Sequence, residues 1–149
     1  MEIKCISIDE LFSSSTTDLL FSEYASESKT EVTTDVIPNY GIFKAMEQSG
    51  TTTVLGVFKD NLLVGFSIFV TSVSPHYSVL QTTITSIFIL KDYRKGGTAK
   101  LLFSEIEKIA RLSESKLIIV SSPIGATLGK YVPRLGYVPN NILHCKDLR

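Results

Sequence analysis

The residues of this chain best suited to chemistry sit in one short stretch, KDYRKGGTAKLLF, residues 91–103. An apolar run, ITSIFIL (84–90), enters it, and a segment with helical spacing leaves it. Between the two stand Arg94, Lys95, Gly96 and Gly97, and no acidic residue follows Asp92 within the stretch. A strand that passes into a helix through glycines exposes the first-turn N–H groups, which have no partner inside the helix. Those donors and the positive end of the helix dipole favour an anion. Gly96 and Gly97 let a phosphate approach the backbone, and Arg94 and Lys95 add charge at the rim, which suits a pyrophosphate. The alternative is an ordinary turn with exposed basic side chains. Neither the G-x-x-x-x-G-K-[ST] loop nor the G-x-G-x-x-G fingerprint is present.

The surrounding elements must position this joint. EIKCISI (2–8) alternates like a strand, with Ile3, Cys5 and Ser7 on one face. From Asp9, a suitable N-cap, to Tyr24 the spacing predicts a helix or a broken pair of helices. Residues 26–36 read as a loop; Pro38 suits the first position of a second helix and Gly50 its end. TTVLGVF and LLVGFSIFV flank Lys59-Asp60-Asn61 and predict an antiparallel hairpin. Gly65 inside the second strand marks a bulge or a close backbone approach. Residues 72–80 read as a connection and QTTITSIFIL (81–90) as a third central strand.

Beyond the joint, Ala99, Leu102, Phe103, Ile106, Ile109 and Ala110 recur at three and four residues. This is an amphipathic helix, with Leu102, Phe103, Ile106 and Ile109 predicted to face the core. KLIIV (116–120) reads as a buried parallel strand. Ser122-Pro123 suits a helix start, the helix running through Tyr131 and limited by Pro133. ILHCKDL (142–148) reads as the final strand.

Composition bounds the function. The 149 residues, 44% apolar, suffice for one domain with a real core. Basic and acidic residues number 15 each, so a nucleic-acid binder working through Arg94 and Lys95 is disfavoured. No signal peptide is read at the N-terminus, and no apolar run approaches the ~20 residues of a membrane span. Cys5 and Cys145 fit neither a metal spacing nor a disulfide framework; each lies in an apolar segment where burial is expected. A soluble, cytoplasmic protein without a metal is the resulting expectation.

Arg94, Gly97 and Ala99 spell R-x-x-G-x-A directly after an apolar strand. This resembles the coenzyme A loop of the GNAT superfamily of acetyltransferases. The order of elements is similar to that fold over nearly the whole chain, and RLGY (134–137) resembles the family's K/R-L-G-F/Y. SPHY (74–77) with DYRKGG also resembles small bacteriophage-encoded members, for which a host cytoplasm would follow. The resemblance implies an α/β (α+β) fold, a twisted, mixed, mainly antiparallel sheet flanked by about four helices. It implies acetyl-CoA as co-substrate and an amine acceptor, either a small molecule or a protein or peptide amine, and it is compatible with a homodimer.

In such an enzyme the amine attacks the thioester directly. The resemblance places the pantetheine arm along Phe88, Ile89 and Leu90, where an N–H of Ile89 or Leu90 would polarise the carbonyl. The loop residues Arg94, Lys95, Gly96, Gly97, Thr98 and Ala99 would hold the phosphates. Many members place a tyrosine acid four residues before the glycine of the L-G-F motif. Here that position is Val132, and Tyr131 is its neighbour, one helical step of about 100° away. Tyr131 is therefore the candidate acid, or simply a residue packed at a helix end. His76, whose imidazole changes charge near neutrality, is the candidate base. His144 is expected on the last strand, Ser121 and Ser122 as helpers or cap. Tyr24, Glu27, Glu31 and Tyr40 are possible acceptor-pocket residues. The alternative function is a coenzyme A-binding module without catalysis, motivated by Val132.

Overall fold

The computed structural model describes residues 1–33 and 35–149; Thr34, in the segment read as a loop, lies outside the described residues. A capping box starts the first helix: the Ser7 hydroxyl accepts from the Glu10 N–H, and the Glu10 carboxylate accepts from the Ser7 N–H. The cap is thus Ser7, not Asp9, because the strand before it, β1 (Glu2–Cys5), is shorter than its alternation predicts. The broken pair is real: α1 spans Ile8–Ser13 and α2 spans Thr17–Ser28. α3 (Tyr40–Gln48) is capped by Asn39, whose side chain accepts from the Ile42 N–H. Pro38 therefore lies just outside this helix rather than at its first position. Gly50, at φ +76°, ends it as expected.

β2 (Thr52–Lys59) and β3 (Leu62–Ser74) form the expected hairpin. Its two central residues, Asp60 and Asn61, both take positive φ, the geometry that matches strand twist. β3 then pairs antiparallel with β4 (Val79–Ile89) over nearly its whole length. Residues 72–80 are consequently no connection: all but Pro75–Ser78 belong to the two strands. The expected β4–helix passage follows, through a 3-10 turn at Lys91–Tyr93 into α4 (Thr98–Leu112). Leu102, Phe103 and Ile106 are fully buried on its inner face, with Ile109 packed beside them.

β5 (Leu117–Val120) pairs parallel with β4, giving the sheet order β1-β2-β3-β4-β5. The expected burial of β5 does not hold: Leu117 and Ile119 are exposed on one face, while Ile118 and Val120 pack against the core on the other. The predicted last strand is absent. Residues 138–149 are exposed and form no ladder; Arg149 instead holds Asp147 and donates to the Val32 carbonyl. Cys145 is exposed with this segment, and Cys5 is exposed on the edge strand β1, so neither cysteine is buried. Ser122 does not cap a helix; α5 (Thr127–Tyr131) starts later, after Ala126. The core lies between the sheet and the helices, built from Ile8, Leu11, Leu20, Phe66, Phe69, Leu102, Phe103 and Ile106. Among the described residues no helix is long and apolar enough to cross a membrane.

Candidate active site

The centre of the molecule is a fork in the sheet. β5 follows β4 only from Gln81 to Ile84, where Ile84 faces Val120. At the same point β4 bulges: its pairing with β3 shifts from Phe69–Ile84 to Ile68–Ser86, leaving Thr85 as the extra residue. A bulge re-aims the backbone groups that follow it. The Leu90 N–H bonds to the Val64 carbonyl and the Ser86 carbonyl accepts from the Ser67 hydroxyl, so these residues face β3. By alternation, Ile87 and Ile89 present their N–H and C=O groups to the opposite side, where β5 no longer runs. Of the two expected N–H donors, Leu90 is therefore already committed and Ile89 is the one aimed into the fork.

This open edge ends at the cationic joint. Gly96 and Gly97 take φ of +74° and +84°, left-handed values that disfavour any other residue. A Cβ at either would meet no atom within 4 Å, so the space in front of the helix is open. Gly97 is the N-cap of α4 and offers no side-chain cap, while its carbonyl accepts the first intrahelical bond, from the Leu101 N–H. The N–H groups of Thr98, Ala99 and Lys100 therefore lack intrahelical partners. Thr98 is buried, its hydroxyl donating to the Lys95 carbonyl inside the loop; Lys95 is exposed at the rim.

Arg94 behaves differently from a rim charge. Its Nε donates to the Ile89 carbonyl at 2.7 Å, and its Nη2 bonds the Glu27 carboxylate at 2.8 Å. The guanidinium also lies 5.0 Å from the Phe88 ring centre. Arg94 thus clamps the end of β4 to α2, and Lys91 reaches the same carboxylate at 3.7 Å. Sequence reasoning assigned Glu27 to an acceptor and Arg94 to a phosphate, and the fold joins them to each other. The signal for such a pair is tertiary, since 67 residues separate the two.

Tyr131 is the last residue of α5, half-buried and packed 6.5 Å from the Phe103 ring of α4. The chain tightens immediately after it into a 3-10 turn, Val132–Leu135, with Pro133 in its first positions. Tyr137 meets the same Phe103 at 5.5 Å. Its hydroxyl is buried without a well-formed hydrogen bond, and burial, followed by the nearby Glu107 carboxylate, pushes the phenol up to about 12. A phenol raised above its unfolded value favours folding while protonated. That stability is complete below pH ~10 and is lost as pH rises towards 12. Tyr137→Phe should therefore flatten the alkaline limb of a thermal-stability profile between these values; an unchanged limb would assign the loss to another group.

His76 is not brought to this site. It occupies the exposed tip of the β3–β4 hairpin, with the Tyr77 ring as its aromatic neighbour. Val79 and Ile89 stand at opposite ends of the 11-residue strand β4, roughly 30 Å apart at ~3.3 Å per residue. His144 lies in the exposed C-terminal segment, and Ser121 and Glu31 are exposed. Tyr40 donates to Asp9, whose carboxyl is held low by this bond and by Lys44.

On the α2–α3 side of the sheet is a cavity of about 300 Å³. Its walls include Phe21 and Tyr24 of α2, Ile37 before α3, Phe43 of α3 and Phe66 and Ile68 of β3. Ser86, the residue after the bulge, also lines it, so this cavity and the open edge share the same turn of β4. Tyr24 is the sequence candidate that belongs here; beyond it and Phe21 on the same helix, the lining comes from three segments distant in sequence.

No protein-family model and no curated protein matches the sequence. Solved structures do match its fold. A ribosomal-protein-alanine N-acetyltransferase from Brucella melitensis biovar Abortus 2308 is 18% identical, each chain covering 98% of the other, with a TM-score of 0.71. A GNAT family acetyltransferase from Staphylococcus aureus subsp. aureus USA300_TCH1516 is also 18% identical, covering 99% of this chain and 98% of its own, at 0.70. An aminoglycoside acetyltransferase from an uncultured soil metagenomic sample, in complex with sisomicin, is 12% identical over 97% of this chain and 93% of its own, at 0.71. The mixed sheet with its flanking helices is thus the GNAT-like fold that the sequence motifs led us to expect.

Proposed function

We propose that this chain is an acetyl-CoA-dependent N-acetyltransferase acting on an amine acceptor in a ternary complex. The observation that carries the reading is the fork: a stretch of β4 with no strand on its β5 side leads through a single 3-10 turn into a glycine-lined helix N-terminus without a side-chain cap. An extended arm can pair with such an edge as a further strand, and phosphates suit the helix end. Acetyl-CoA supplies the activated acyl group. The Ile89 N–H is the donor for the carbonyl oxygen as negative charge grows on it. Phe88 and Leu90 hold that residue in place, the first through the Arg94 clamp and the second through its bond to Val64. Lys95 and the N–H groups of Thr98 and Ala99 face the phosphates beside Gly96 and Gly97.

Tyr131 is the residue we assign to return a proton to the departing thiolate, since α5 follows the strand on the far side of the fork. Tyr137 is not assigned a role, since its ring packs against Phe103 of α4 and its hydroxyl is buried there. No base is assigned; His76 lies too far along the hairpin. Tyr131→Phe is expected to lower kcat about 100-fold while leaving acetyl-CoA affinity intact. His76→Ala should leave both unchanged. A fully active Tyr131→Phe protein would remove the acid from this scheme, and an impaired His76→Ala protein would bring the hairpin tip into it.

The test of the function itself is stabilisation by acetyl-CoA against heat, followed by transfer of labelled acetyl to amines. Cofactor binding without any transfer would favour the coenzyme A-binding module. Salt-sensitive nucleic-acid binding that acetyl-CoA leaves unchanged would overturn both.

A further inference from the structure

The cavity beside the fork narrows the acceptor, an inference that rests on the reading just proposed. We infer that the acceptor is a monoamine carrying a single aromatic or branched apolar body, rather than a polycation. The cavity volume, about 300 Å³, lies at the lower end of small-molecule sites. Its walls are mostly aromatic and aliphatic, and among the described residues its polar lining is Tyr24, Asn39 and Ser86. Asn39 already caps α3 with its side-chain oxygen. That leaves the Tyr24 and Ser86 hydroxyls to receive an ammonium group, Tyr24 being in ring contact with Phe88 of β4.

Charge makes the same selection. No carboxylate lines the cavity. Of the carboxylates on the flanking elements, Glu27 holds Arg94 and Lys91, and Asp9 and Glu47 both hold Lys44, while Glu23 of α2 lies outside the cavity lining. Asp35, beside the mouth, acts on Arg149. A polycation would meet these paired groups and lose hydration without gaining a counter-charge. A single ammonium needs less: two hydroxyls and the faces of aromatic rings suffice for one desolvated cation. The rings also form a continuous series towards the cofactor loop. Phe21 contacts Phe66 at 5.6 Å, Phe66 contacts Tyr24 at 5.8 Å, and Tyr24 contacts Phe88 at 5.8 Å, with Arg94 over Phe88. An apolar body seated among the first of these rings would direct its amine along β4, towards Ser86 and the open edge.

The experiment compares 2-phenylethylamine, methylamine, kanamycin and an alanine-initiated tetrapeptide as acceptors with acetyl-CoA. Binding of each to the coenzyme A complex is measured alongside by calorimetry. We expect kcat/KM for 2-phenylethylamine to exceed that of the other three by at least about 100-fold, and its binding to be the tightest. Ile37→Ser and Ile42→Ser alter two lining side chains that are largely exposed, 84% and 60%, so the fold should tolerate both. Each should raise KM for 2-phenylethylamine about tenfold and leave methylamine unaffected. Kanamycin or the tetrapeptide outperforming 2-phenylethylamine would overturn the inference, as would insensitivity to both variants. Absence of transfer to any acceptor would count against the enzyme reading alone. The binding arm would still decide the acceptor class: tight 2-phenylethylamine binding weakened by Ile42→Ser supports it, and no binding refutes it.

Discussion

Gly97→Asp is expected to abolish the thermal stabilisation that acetyl-CoA gives the unaltered protein and to lower kcat/KM by at least about 100-fold. Ligand at 100 times its Kd stabilises a folded protein by ~2.7 kcal/mol, roughly 5–10 °C for a chain of this size. In the variant that shift should vanish for two separable reasons. The residue caps α4 at φ +84°, and its Cβ would project into the open space before the helix end. A carboxylate there would occupy the N–H groups of the first turn and repel phosphate. Gly97→Asn isolates the charge, because asparagine matches aspartate in size and in its tolerance of the left-handed region but is neutral. It should retain part of the shift. If a folded Gly97→Asp protein is stabilised as strongly as the parent, the phosphates bind elsewhere.

Gly65→Ala is expected to damage stability and turnover together. A Cβ at this position would lie 2.8 Å from the Phe88 carbonyl oxygen and 3.2 Å from the Ile89 Cα. Both are backbone atoms of β4 and cannot rotate away, so the strands must separate by several tenths of an ångström. Overpacking of this kind costs about 1–3 kcal/mol. It also displaces Ile89, whose N–H we assign to the thioester carbonyl, and small misplacements of such groups cost up to ~100-fold in rate. A melting temperature that falls while kcat is unchanged would uncouple this edge from the chemistry.

How far the chain could be read beforehand follows from the range of the signals. The glycine pair, the amphipathic face of α4 and the Lys59–Asn61 hairpin are local patterns, and the structure reproduces each. The Ser7–Glu10 capping box is equally local, but alternation extends β1 over Ser7 and so points to Asp9 instead. Partners decided the rest. ILHCKDL alternates like a strand but has no ladder, and KLIIV is a strand without the cover its composition suggests. His76 is a candidate base only if residues 72–80 form a connection; pairing such as Val73–Leu80 and Ser74–Val79 makes them a hairpin that carries the imidazole away. Of the cavity only Tyr24 is legible in the sequence, since Phe21, Ile37, Ile68 and Ser86 meet only after the sheet and helices pack.

The fork also divides the protein by its resistance to opening. β3 is laddered on both sides along most of its length, so its amides should exchange with solvent only when the whole chain unfolds. β5 is attached through four residue pairs on one side, and α5 follows it. This unit can detach while the remainder stays folded, and its amides should exchange orders of magnitude faster. A molecule lying in the fork touches both parts. Its binding should therefore slow deuterium uptake in residues 117–131 much more than in β3, making the less stable portion of the protein the one that registers occupancy.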